Sequence, residues 1–570
     1  MRISKIVKEY TILIIIGVLT GALVALFDKA LEYTLGLLDF LLNISRLLIF
    51  LIAPVSLLIA YLIVVRFAEI KETGSGTHQI LDALYTHNGY IHPKDTVTKV
   101  IASLLTLGLG GSAGPEGPSM LLGNGIGSYI SRKFRLGIDE ARKFSLAGAA
   151  AGIAAVFRAP LTGMLFALEI PFRKDMETEA LIEAAIASVA SYLTFVAIAG
   201  SAKLFRVVIP VFELNIYHLL NSFILGIITG LLALVFIISY RYIGRLSKTL
   251  SRLVYPYGFT IPIIGGLIIS LFAFITPEVV GPGYRIIKGL IYGYGRLPLL
   301  TLLMILLFKM FVTEVTLSFG GSGGIFVPTL AVGALIGYIY GVLIHSDNIE
   351  MLIAVGMASL LAATNKAPFT SVALVAETVG PASIIPTLIA TVISYLLTGY
   401  YSFYEIQLPH RIVEEELALS EIYLKVVKLR PDILYKIKAH HVMTPKPIYL
   451  DGNSTVEDAL ARVSHYKFRV YPVVRNNILI GYVTIEDLLG IPEEDIKIRV
   501  YRLARDPITI SPDASLKEVI DTMLENEADH LLVTDKEGKL IGIIADIDVI
   551  RTLLDSASRF FRVFMEGKKG

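Results

Sequence analysis

The chain has 570 residues, of which 54% are hydrophobic and 18% charged, and its formal net charge at pH 7 is +2. A mean hydropathy of +0.68 is too high for a soluble protein of ordinary composition, so the sequence predicts a membrane protein. The small net charge gives no electrostatic support to a nucleic-acid partner, and the lack of cysteine excludes disulfides, thiolate metal sites and cysteine nucleophiles.

The first apolar stretch follows a basic start that contains Arg2, Lys5 and Lys8. Its hydrophobic run is long and meets no small-residue cleavage site before Asp28, which favours a retained membrane helix over a signal peptide. Basic residues ahead of a first span favour a cytoplasmic N-terminus.

Further apolar segments of spanning or near-spanning length continue to residue 400. They lie at about 46–65, 97–109, 143–170, 181–200, 217–240, 258–276, 298–318, 326–346, 350–376 and 382–400. Several are shorter than the roughly 20 residues of a straight span or contain Gly and Pro, which predicts broken, tilted or re-entrant helices. We expect a polytopic α-helical domain over residues 1–405 in the cell membrane.

Two glycine-rich stretches of this domain correspond to one another. GGSAGPEGPSMLLGNGIG at 110–127 aligns with GGSGGIFVPTLAVGALIG at 320–337 at a constant offset of 210 residues. Farther along, an offset of 208 residues places Glu169 opposite Glu377. Paired hydrophobic segments interrupted by Gly and Pro indicate an ion or substrate site between two repeats. The repeat halves are expected at about 10–200 and 217–405.

Glycines stand directly before apolar helical runs in both stretches. A helix that begins inside the membrane presents unpaired N–H groups and about half a positive charge at its N-terminus. Glycine lets an ion approach the backbone, and Pro118 and Pro328 suit a first helical turn because proline has no N–H to leave unpaired. The pattern predicts an anion site formed by backbone N–H groups rather than by a full cation.

The composition becomes charged and mixed after about residue 405, and a second repeat occupies residues 441–554. Each copy predicts a short strand, a helix opened by a capping Ser or Thr, two apolar strands around a polar turn, and a closing helix. The copies resemble a pair of CBS domains, and the stretch from Gly481 to Asp487 is similar to that family's strand-to-helix junction. We expect a linker at 406–440, one CBS domain at 441–495, and a second with a C-terminal tail at 496–570. A cytoplasmic C-terminus is consistent with the N-terminal charges.

The membrane domain resembles the CLC family of chloride channels and chloride/proton exchangers. The motifs that carry this resemblance are GSGTHQI at 74–80, GPEGP at 114–118, AAGIAAVFRAPLTGMLFALE at 150–169 and GGIFVPTLAVGA at 323–334. The resemblance implies two inverted-topology repeats of broken, tilted helices, here followed by a soluble α/β CBS pair. It also implies a homodimer with one pathway per subunit, transport of chloride and in exchangers also of protons, and no required cofactor.

The resemblance assigns anion-binding roles to five residues. They are Ser75 and Tyr404 through their hydroxyl groups, Ile325 and Phe326 through their backbone N–H groups, and Gly117. The alternative is that the glycines of these motifs only let helices pack closely.

Glu116 is the predicted gate, because a carboxylate beside a helix N-terminus can occupy the N–H donors that hold chloride. Its protonation would remove the competing charge and open the path at low pH. Intramembrane carboxylates are costly and usually functional. The alternative is a carboxylate that only stabilises the helix dipole.

Two positions depart from the family pattern. Pro115 stands where arginine is usual, which removes a charge and an N–H near the outer end of the path. Ile170 stands where exchangers commonly carry a glutamate for inner proton transfer, and isoleucine cannot relay a proton. The simplest prediction is passive, channel-like conduction. The alternative is a coupled chloride/proton antiporter whose inner proton route uses Glu169 or water.

In the CBS pair, Thr484 and Asp487 match positions that contact ribose and phosphate in nucleotide-binding members. The second copy keeps an acid at Asp548 but has Ala545 in place of the hydroxyl residue. We expect at most one regulatory adenine-nucleotide site, with a ligand-free structural pair as the alternative.

Two other classes of membrane protein would require site residues of a different kind. An intramembrane metalloprotease needs an HExxH helix, and none of the ten histidines lies in that motif. A CBS-containing divalent-cation transporter needs carboxylates along its path, whereas the predicted half-helix starts are poor in acids apart from Glu116.

Overall fold

The computed structural model of the chain describes residues 2–87, 89–134, 136, 138–201, 214–254, 257–292, 297–410, 432–466, 468, 470–489, 491, 496–526 and 528–553. The chain forms two compact units, residues 1–411 and 412–570. Most of the predicted linker, 411–431, and the predicted tail, 554–570, lie outside the described residues.

The first unit is almost entirely helical. Its helices are α1 (Arg2–Ile44), α2 (Ile49–Phe67), α3 (Gly76–Thr86), α4 (Pro93–Gly108), α5 (Glu116–Lys133), α6 (Ile138–Phe157), α7 (Pro160–Glu169), α8 (Leu181–Ala199), α9 (Ile216–Leu253), α10 (Thr260–Ile275), α11 (Tyr284–Tyr292), α12 (Leu299–Ser318), α13 (Phe326–Leu343), α14 (Ile349–Asn365), α15 (Pro368–Thr378) and α16 (Ile384–Thr398). Two short strands, β1 (Gly74–Ser75) and β2 (Ser322–Gly323), pair in parallel. Short 3-10 helices lie at Arg46–Leu48, Thr178–Ala180, Pro277–Val279 and Pro381–Ser383.

Seven helical stretches among the described residues are long and apolar enough to cross a membrane. They are Val7–Ile44, Arg46–Phe67, Thr178–Ala199, Ile216–Leu253, Leu299–Ser318, Phe326–Leu343 and Pro381–Thr398. The prediction of a polytopic helical membrane protein is confirmed.

Two apolar segments that the sequence shows as continuous are each broken into two helices. The segment at 143–170 forms α6 and α7, and the segment at 350–376 forms α14 and α15. The breaks lie at equivalent residues, Arg158 and Lys366, which have φ angles of 55° and 59°. A proline begins each following helix, because proline fits a first turn and disfavours helix before it. The second helices have 10 and 11 residues, and at about 1.5 Å per residue they are too short to span.

Equivalent glycines bring equivalent helices together in the two repeats. Where α5 crosses α6, a Cβ on Gly123 would lie 1.9 Å from the carbonyl oxygen of Gly148. Where α13 crosses α14, a Cβ on Gly333 would lie 2.4 Å from the carbonyl oxygen of Gly356. Any larger side chain would separate these backbones, so small residues determine the crossing in both repeats.

The second unit contains two sheets. One consists of β4 (Leu450–Asp451), β5 (Val470–Arg475) and β6 (Ile478–Thr484), and the other has the order β3 (Thr444–Pro445), β9 (Leu540–Ala545), β8 (His530–Thr534) and β7 (Thr509–Ile510). β4 pairs with β5, and β7 with β8, in parallel, and the other pairs are antiparallel. The helices of this unit are Ile433–Lys436, Ala439–Val442, Val456–Val463, Ile485–Leu489 and Leu516–Glu525, with a closing helix at 546–553 and a 3-10 helix at Val500–Arg502.

The predicted capping residues open the main helix of each CBS copy. Thr455 and Ser515 form capping boxes with Asp458 and Glu518. The order of elements in each copy matches the sequence-based expectation, and the α/β character of this region is confirmed.

The segment before the first copy packs into the second copy. Ile433, Leu434, Ala439 and Val442 share one hydrophobic core with residues of the second copy, among them Leu516. β3 also pairs with β9 of the second copy. The packed unit therefore begins before residue 441, where the sequence places the start of the first CBS domain, because these apolar side chains are buried on folding.

Candidate functional site

The glycine-rich segments of the two repeats meet at the starts of three helices. Ser75 in β1 lies opposite Gly323 in β2. Gly114 and Gly324 form an antiparallel bridge whose two N···O distances are 2.7 and 2.8 Å. Backbone hydrogen bonds therefore bring the N-termini of α3, α5 and α13 together.

Equivalent threonines hold the two glycine-rich loops in place. The N–H of Ser112 donates to Thr316 Oγ1 at 3.0 Å, and the N–H of Ser322 donates to Thr106 Oγ1 at 3.2 Å. Each pair of equivalents is separated by 210 residues, so the threonine of one repeat fixes the loop of the other. Sequence reasoning did not single out either threonine, although the constant offset relates them.

Glu116 lies where these loops converge and is 1% exposed. Its Oε1 accepts a hydrogen bond from the N–H of Phe326, the first residue of α13, at 2.5 Å. Its Oε2 is buried without a hydrogen-bond partner among the described residues. A Cβ on Gly114 or Gly324 would lie 1.9 Å from a carboxylate oxygen of Glu116, so both positions must be glycine for the carboxylate to fit.

Ser75, Thr77 and Tyr404 lie together beside the start of α3. Tyr404 is 2% exposed, and its phenol faces the hydroxyl groups of Ser75 and Thr77. Ser75 Oγ and Thr77 Oγ1 are buried without a hydrogen-bond partner in the part of the chain that the structure describes. Buried polar groups are normally paired, so unpaired hydroxyls next to a helix N-terminus suit an anion. The sequence places Thr77 in the GSGTHQI motif but gives no signal of its own for a role at this residue.

The other three predicted anion-binding residues belong to the same backbone cluster. A Cβ on Gly117 would lie 2.6 Å from the carbonyl oxygen of Gly323. Ile325 is the N-cap of α13, and both Ile325 and Phe326 are buried. The ring of Phe326 packs on Phe157 with centroids 4.7 Å apart, so side-chain packing holds this N–H group in position.

A buried lysine stands behind the Glu116 loop. Lys309 on α12 is 0% exposed, and its Nζ donates to Ser112 Oγ at 2.9 Å and to the carbonyl oxygens of Val279 and Gly281 at 3.0 and 2.7 Å. Pro115, where arginine is usual in the family, is the N-cap of α5. The loop therefore has a cation nearby although position 115 supplies none.

Glu169 lies at the end of α7 against the start of α15. Its Oε1 accepts the N–H of Phe369 at 3.0 Å, and its Oε2 accepts the N–H and hydroxyl of Thr370 at 2.7 and 2.5 Å. These contacts make Glu169 an N-terminal cap of α15. Ile170 follows it, fully buried, and its carbonyl oxygen accepts a hydrogen bond from Gln407 at 2.7 Å.

An open cavity of about 360 Å³ lies between the two CBS copies. It is lined by Val470, Tyr482, Thr484, Arg505, Ile508, Asn526, Ala528, Asp529, His530 and Leu532. The N–H of Thr484 donates to Asp487 Oδ2 at 2.9 Å, and the N–H of Asp487 donates to Thr484 Oγ1 at 3.1 Å. Asp548 occupies the equivalent position in the second copy and accepts the N–H of Ala545 at 3.1 Å.

Asp487 also pairs with Arg505 beside this cavity. Burial disfavours the charged carboxylate, but hydrogen bonds from Thr484 and Arg505 outweigh it and lower the pKa of Asp487 below its ordinary value. The acid is therefore available as an ionised acceptor at neutral pH.

Comparison with known families decides the identity of the chain. The family described as voltage gated chloride channel matches residues 55–399. The chain belongs to the CLC family. CBS domains match residues 439–494 and 499–555, so this CLC protein carries a C-terminal CBS pair, as predicted. CLC members are chloride channels and transporters, not enzymes, and the protein is a multi-pass membrane protein.

Similar proteins agree with this assignment. The uncharacterised protein MJ0305 of Methanocaldococcus jannaschii is 33% identical over 349 residues, which are 61% of this chain and 85% of that protein. The H(+)/Cl(-) exchange transporter ClcA of Vibrio cholerae is 32% identical over 387 residues, which are 64% of this chain and 80% of ClcA. The crystal structure of a eukaryotic CLC transporter has a TM-score of 0.61, covers 95% of this chain and 98% of its own at 18% identity, and shows the same fold.

Proposed function

We propose that this CLC protein transports chloride along a path at the starts of α3, α5 and α13, with Glu116 as the gate. The observation that carries the proposal is the 2.5 Å hydrogen bond from the Phe326 N–H to Glu116. An ionised carboxylate on that donor occupies the place that a halide needs. Protonation removes the competing charge, so chloride can take the donor and the path opens.

The proposed chloride site consists of the hydroxyls of Ser75 and Tyr404, the N–H groups of Ile325 and Phe326, and the backbone at Gly117. The hydroxyl of Ser75, which has no hydrogen-bond partner among the described residues, supports it, because a buried donor of this kind gains a partner when an anion binds. Neutral donors suit transport, since the site must replace the hydration of chloride without preventing its release.

Two transport modes fit this path, and different observations favour them. Passive conduction is the simplest mode because buried Ile170 offers no group to relay a proton. Coupled chloride/proton exchange is favoured by two observations. The chain is similar to the H(+)/Cl(-) exchange transporter of Vibrio cholerae, and it has a further buried carboxylate, Glu314.

Chloride efflux from liposomes that contain the full chain tests the gate. Wild type should release chloride faster at about pH 5 than at about pH 8, since more of Glu116 is protonated at the lower pH. Glu116→Gln should be fast at both values. Glu377→Gln, which removes a carboxylate that caps α7, is the matched control and should keep the pH response.

An unchanged pH response in Glu116→Gln would remove Glu116 as the gate. Wild-type liposomes that move no halide would overturn the proposed function. Magnesium movement in that case would establish the divalent-cation transporter instead.

We further propose that the CBS pair binds at most one adenine nucleotide per chain, with Thr484 and Asp487 as its polar contacts. The cavity beside Thr484 supports this site, and Ala545 argues against a second one even though Asp548 is present. Calorimetry of the full-length protein with ATP, ADP and AMP tests it. Thr484→Val should abolish the heat of binding, and Thr509→Val on an exposed strand position should not. No heat with any of the three nucleotides would favour a ligand-free structural pair.

We propose that the protein is a homodimer in the cell membrane with both termini in the cytoplasm. Family membership supports the dimer, and the basic residues before α1 support the orientation. The mass of the detergent-solubilised protein tests the first part, and a monomer alone would contradict it. Protease added to intact cells tests the orientation, because a cytoplasmic CBS pair should be protected from cleavage.

A further inference from the structure

One of the buried carboxylates of the membrane unit makes no contact with the residues of the proposed chloride site. Glu314 lies one turn before the end of α12 and is 2% exposed. Among the described residues, its hydrogen-bond partner is the hydroxyl of Ser239 on α9, which donates to Oε1. Carboxylates inside a membrane are costly and commonly mark proton routes, so Glu314 needs a functional explanation.

Two cations near α12, Arg241 and Lys309, are engaged elsewhere. Arg241 on α9 pairs with Glu405, with Nε and Oε1 3.1 Å apart. Lys309 precedes Glu314 by five residues, which places it on a different face of α12, and it donates to Ser112 and two carbonyl oxygens. Helix α10 has no ionisable side chain. Other ionisable groups lie on the elements packed against α12, and within the described structure none of them bonds to Glu314. They include Arg245 and Lys248 of α9, Glu278 of the 3-10 helix, and Tyr338 and Tyr340 of α13.

Two phenol groups lie in the region between Glu314 and the proposed chloride site. Tyr240 on α9 is close enough to Glu314 to interact with it electrostatically. Its ring packs edge-on against the ring of Phe403, with the ring centroids 5.5 Å apart. The next residue, Tyr404, lies within electrostatic range of both Tyr240 and Glu116. Neighbouring side chains thus extend from Glu314 through Tyr240 and Tyr404 to Glu116.

The single hydrogen bond to Glu314 suits a group that changes its charge. A serine hydroxyl can donate to an ionised carboxylate and can accept from a protonated one, so Ser239 can bond to both forms. Glu169 differs, because two of its three donors are backbone N–H groups, which cannot accept. Protonating Glu169 would weaken the cap of α15, whereas protonating Glu314 leaves its partner satisfied.

We propose that Glu314 is the proton acceptor at the Ser75 and Tyr404 end of the path, in the role that Ile170 cannot fill, and that the protein exchanges chloride for protons. This inference rests on the proposed function, since Glu116 must carry the proton at the other end. Ionised Glu314 takes a proton from water at the Tyr404 end. The proton then passes through the hydroxyls of Tyr240 and Tyr404 and intervening water to ionised Glu116, and Glu314 returns to its ionised form. Protonated Glu116 leaves the Phe326 N–H, chloride moves past it, and the proton is released on the opposite side.

Simultaneous recording of chloride and proton flux in liposomes tests this route. With a chloride gradient as the driving force, wild type should move protons against their own gradient at a fixed ratio. Glu314→Gln should lower proton flux by about tenfold or more while chloride flux continues, because a glutamine cannot bind the proton. Glu377→Gln should keep the wild-type ratio.

A rescue variant separates proton transfer from a structural role. Adding Ile170→Glu to Glu314→Gln should restore proton flux, because it returns a carboxylate to the position that exchangers commonly use. Wild type that moves chloride without protons, or Glu314→Gln with the wild-type ratio, would overturn the proposal and leave the Glu116 gate standing. Loss of both fluxes in Glu314→Gln without rescue would assign Glu314 a structural role and would also overturn it. Absence of chloride flux in wild type would instead be a failure of the proposed function.

Discussion

Glu169 and Glu377 cap each other's helices across the two repeats. Glu169 ends α7 and accepts hydrogen bonds from the start of α15. Glu377, near the end of α15, accepts the N–H groups of Leu161 and Thr162 at the start of α7, at 3.0 and 2.8 Å. Each carboxylate thus faces the positive end of a helix dipole. The two short helices lie antiparallel, and their reciprocal caps are what a two-fold relation between the repeats requires.

The first prediction concerns these caps. Glu377→Gln should lower the free energy of unfolding by about 0.5–2 kcal/mol, because a neutral amide is a weaker N-terminal cap. The measurement is the Tm of the detergent-solubilised protein. Glu32→Gln, at an exposed position of α1, is the control and should melt like wild type. Equal Tm values for the two variants would show that the cap contributes nothing.

The second prediction concerns the hydroxyl of Ser75. Ser75→Ala should weaken chloride binding by about tenfold, because a hydrogen bond to a charged group is worth roughly 1.5 kcal/mol or more. Calorimetric titration with chloride measures the change. Thr387→Val removes another buried hydroxyl, in α16, for which the described part of the chain offers no partner, and should leave the affinity unchanged. An equal effect of both variants would contradict a specific role for Ser75.

The third prediction concerns the close contact at Gly117. A Cβ at this position would meet the Gly323 carbonyl oxygen at 2.6 Å, so Gly117→Ala should destabilise the protein by about 1–3 kcal/mol and weaken chloride binding. A Cβ on Gly36 in α1 would meet no atom of the described structure within 4 Å, so Gly36→Ala should leave Tm unchanged or raise it. Thermal melting of the two variants side by side is the test. The idea fails if alanine is tolerated equally at both positions.

The fourth prediction is a pH dependence of the CBS pair through Asp487. Hydrogen bonds from Thr484 and Arg505 outweigh burial and lower its pKa from the ordinary value of 3.8. A carboxyl group whose pKa falls on folding stabilises the fold above its unfolded pKa, and this stabilisation is lost as the pH falls below about 3.8 through the folded value. Asp487→Asn should therefore lower the Tm of the CBS pair at neutral pH and should converge with wild type in acid.

Heat scans of the full chain at a series of pH values provide the measurement. Asp506→Asn, which changes an exposed aspartate, is the control. A constant difference between Asp487→Asn and wild type at every pH would show that the charge of Asp487 is not responsible.

Much of the architecture follows from the sequence because its signals are local or strictly repeated. Hydropathy predicted the membrane helices, and the Gly and Pro residues within them predicted that some would be broken, but the breaks at Arg158 and Lys366 were not predicted. The motifs around Ser75, Glu116 and Phe326 predicted segments that the structure does bring together, since helix N-termini that need partners in a membrane satisfy them with one another. The elements of the CBS copies were equally predictable from the sequence, because their capping residues and alternating strands are short-range features.

The tertiary structure alone decided which distant side chains face each other. The sequence shows a glutamate at 314 and a serine at 239, but only the packing of α12 against α9 joins them. The exchange of caps between Glu169 and Glu377, and the packing of residues 433–442 into the second CBS copy, are decided in the same way. Local patterns specify which face of a helix is apolar, whereas the partner of a buried polar group depends on which helices meet. For that reason the membrane fold and the place of Glu116 at the helix starts could be predicted, and the contact between Glu314 and Ser239 could not.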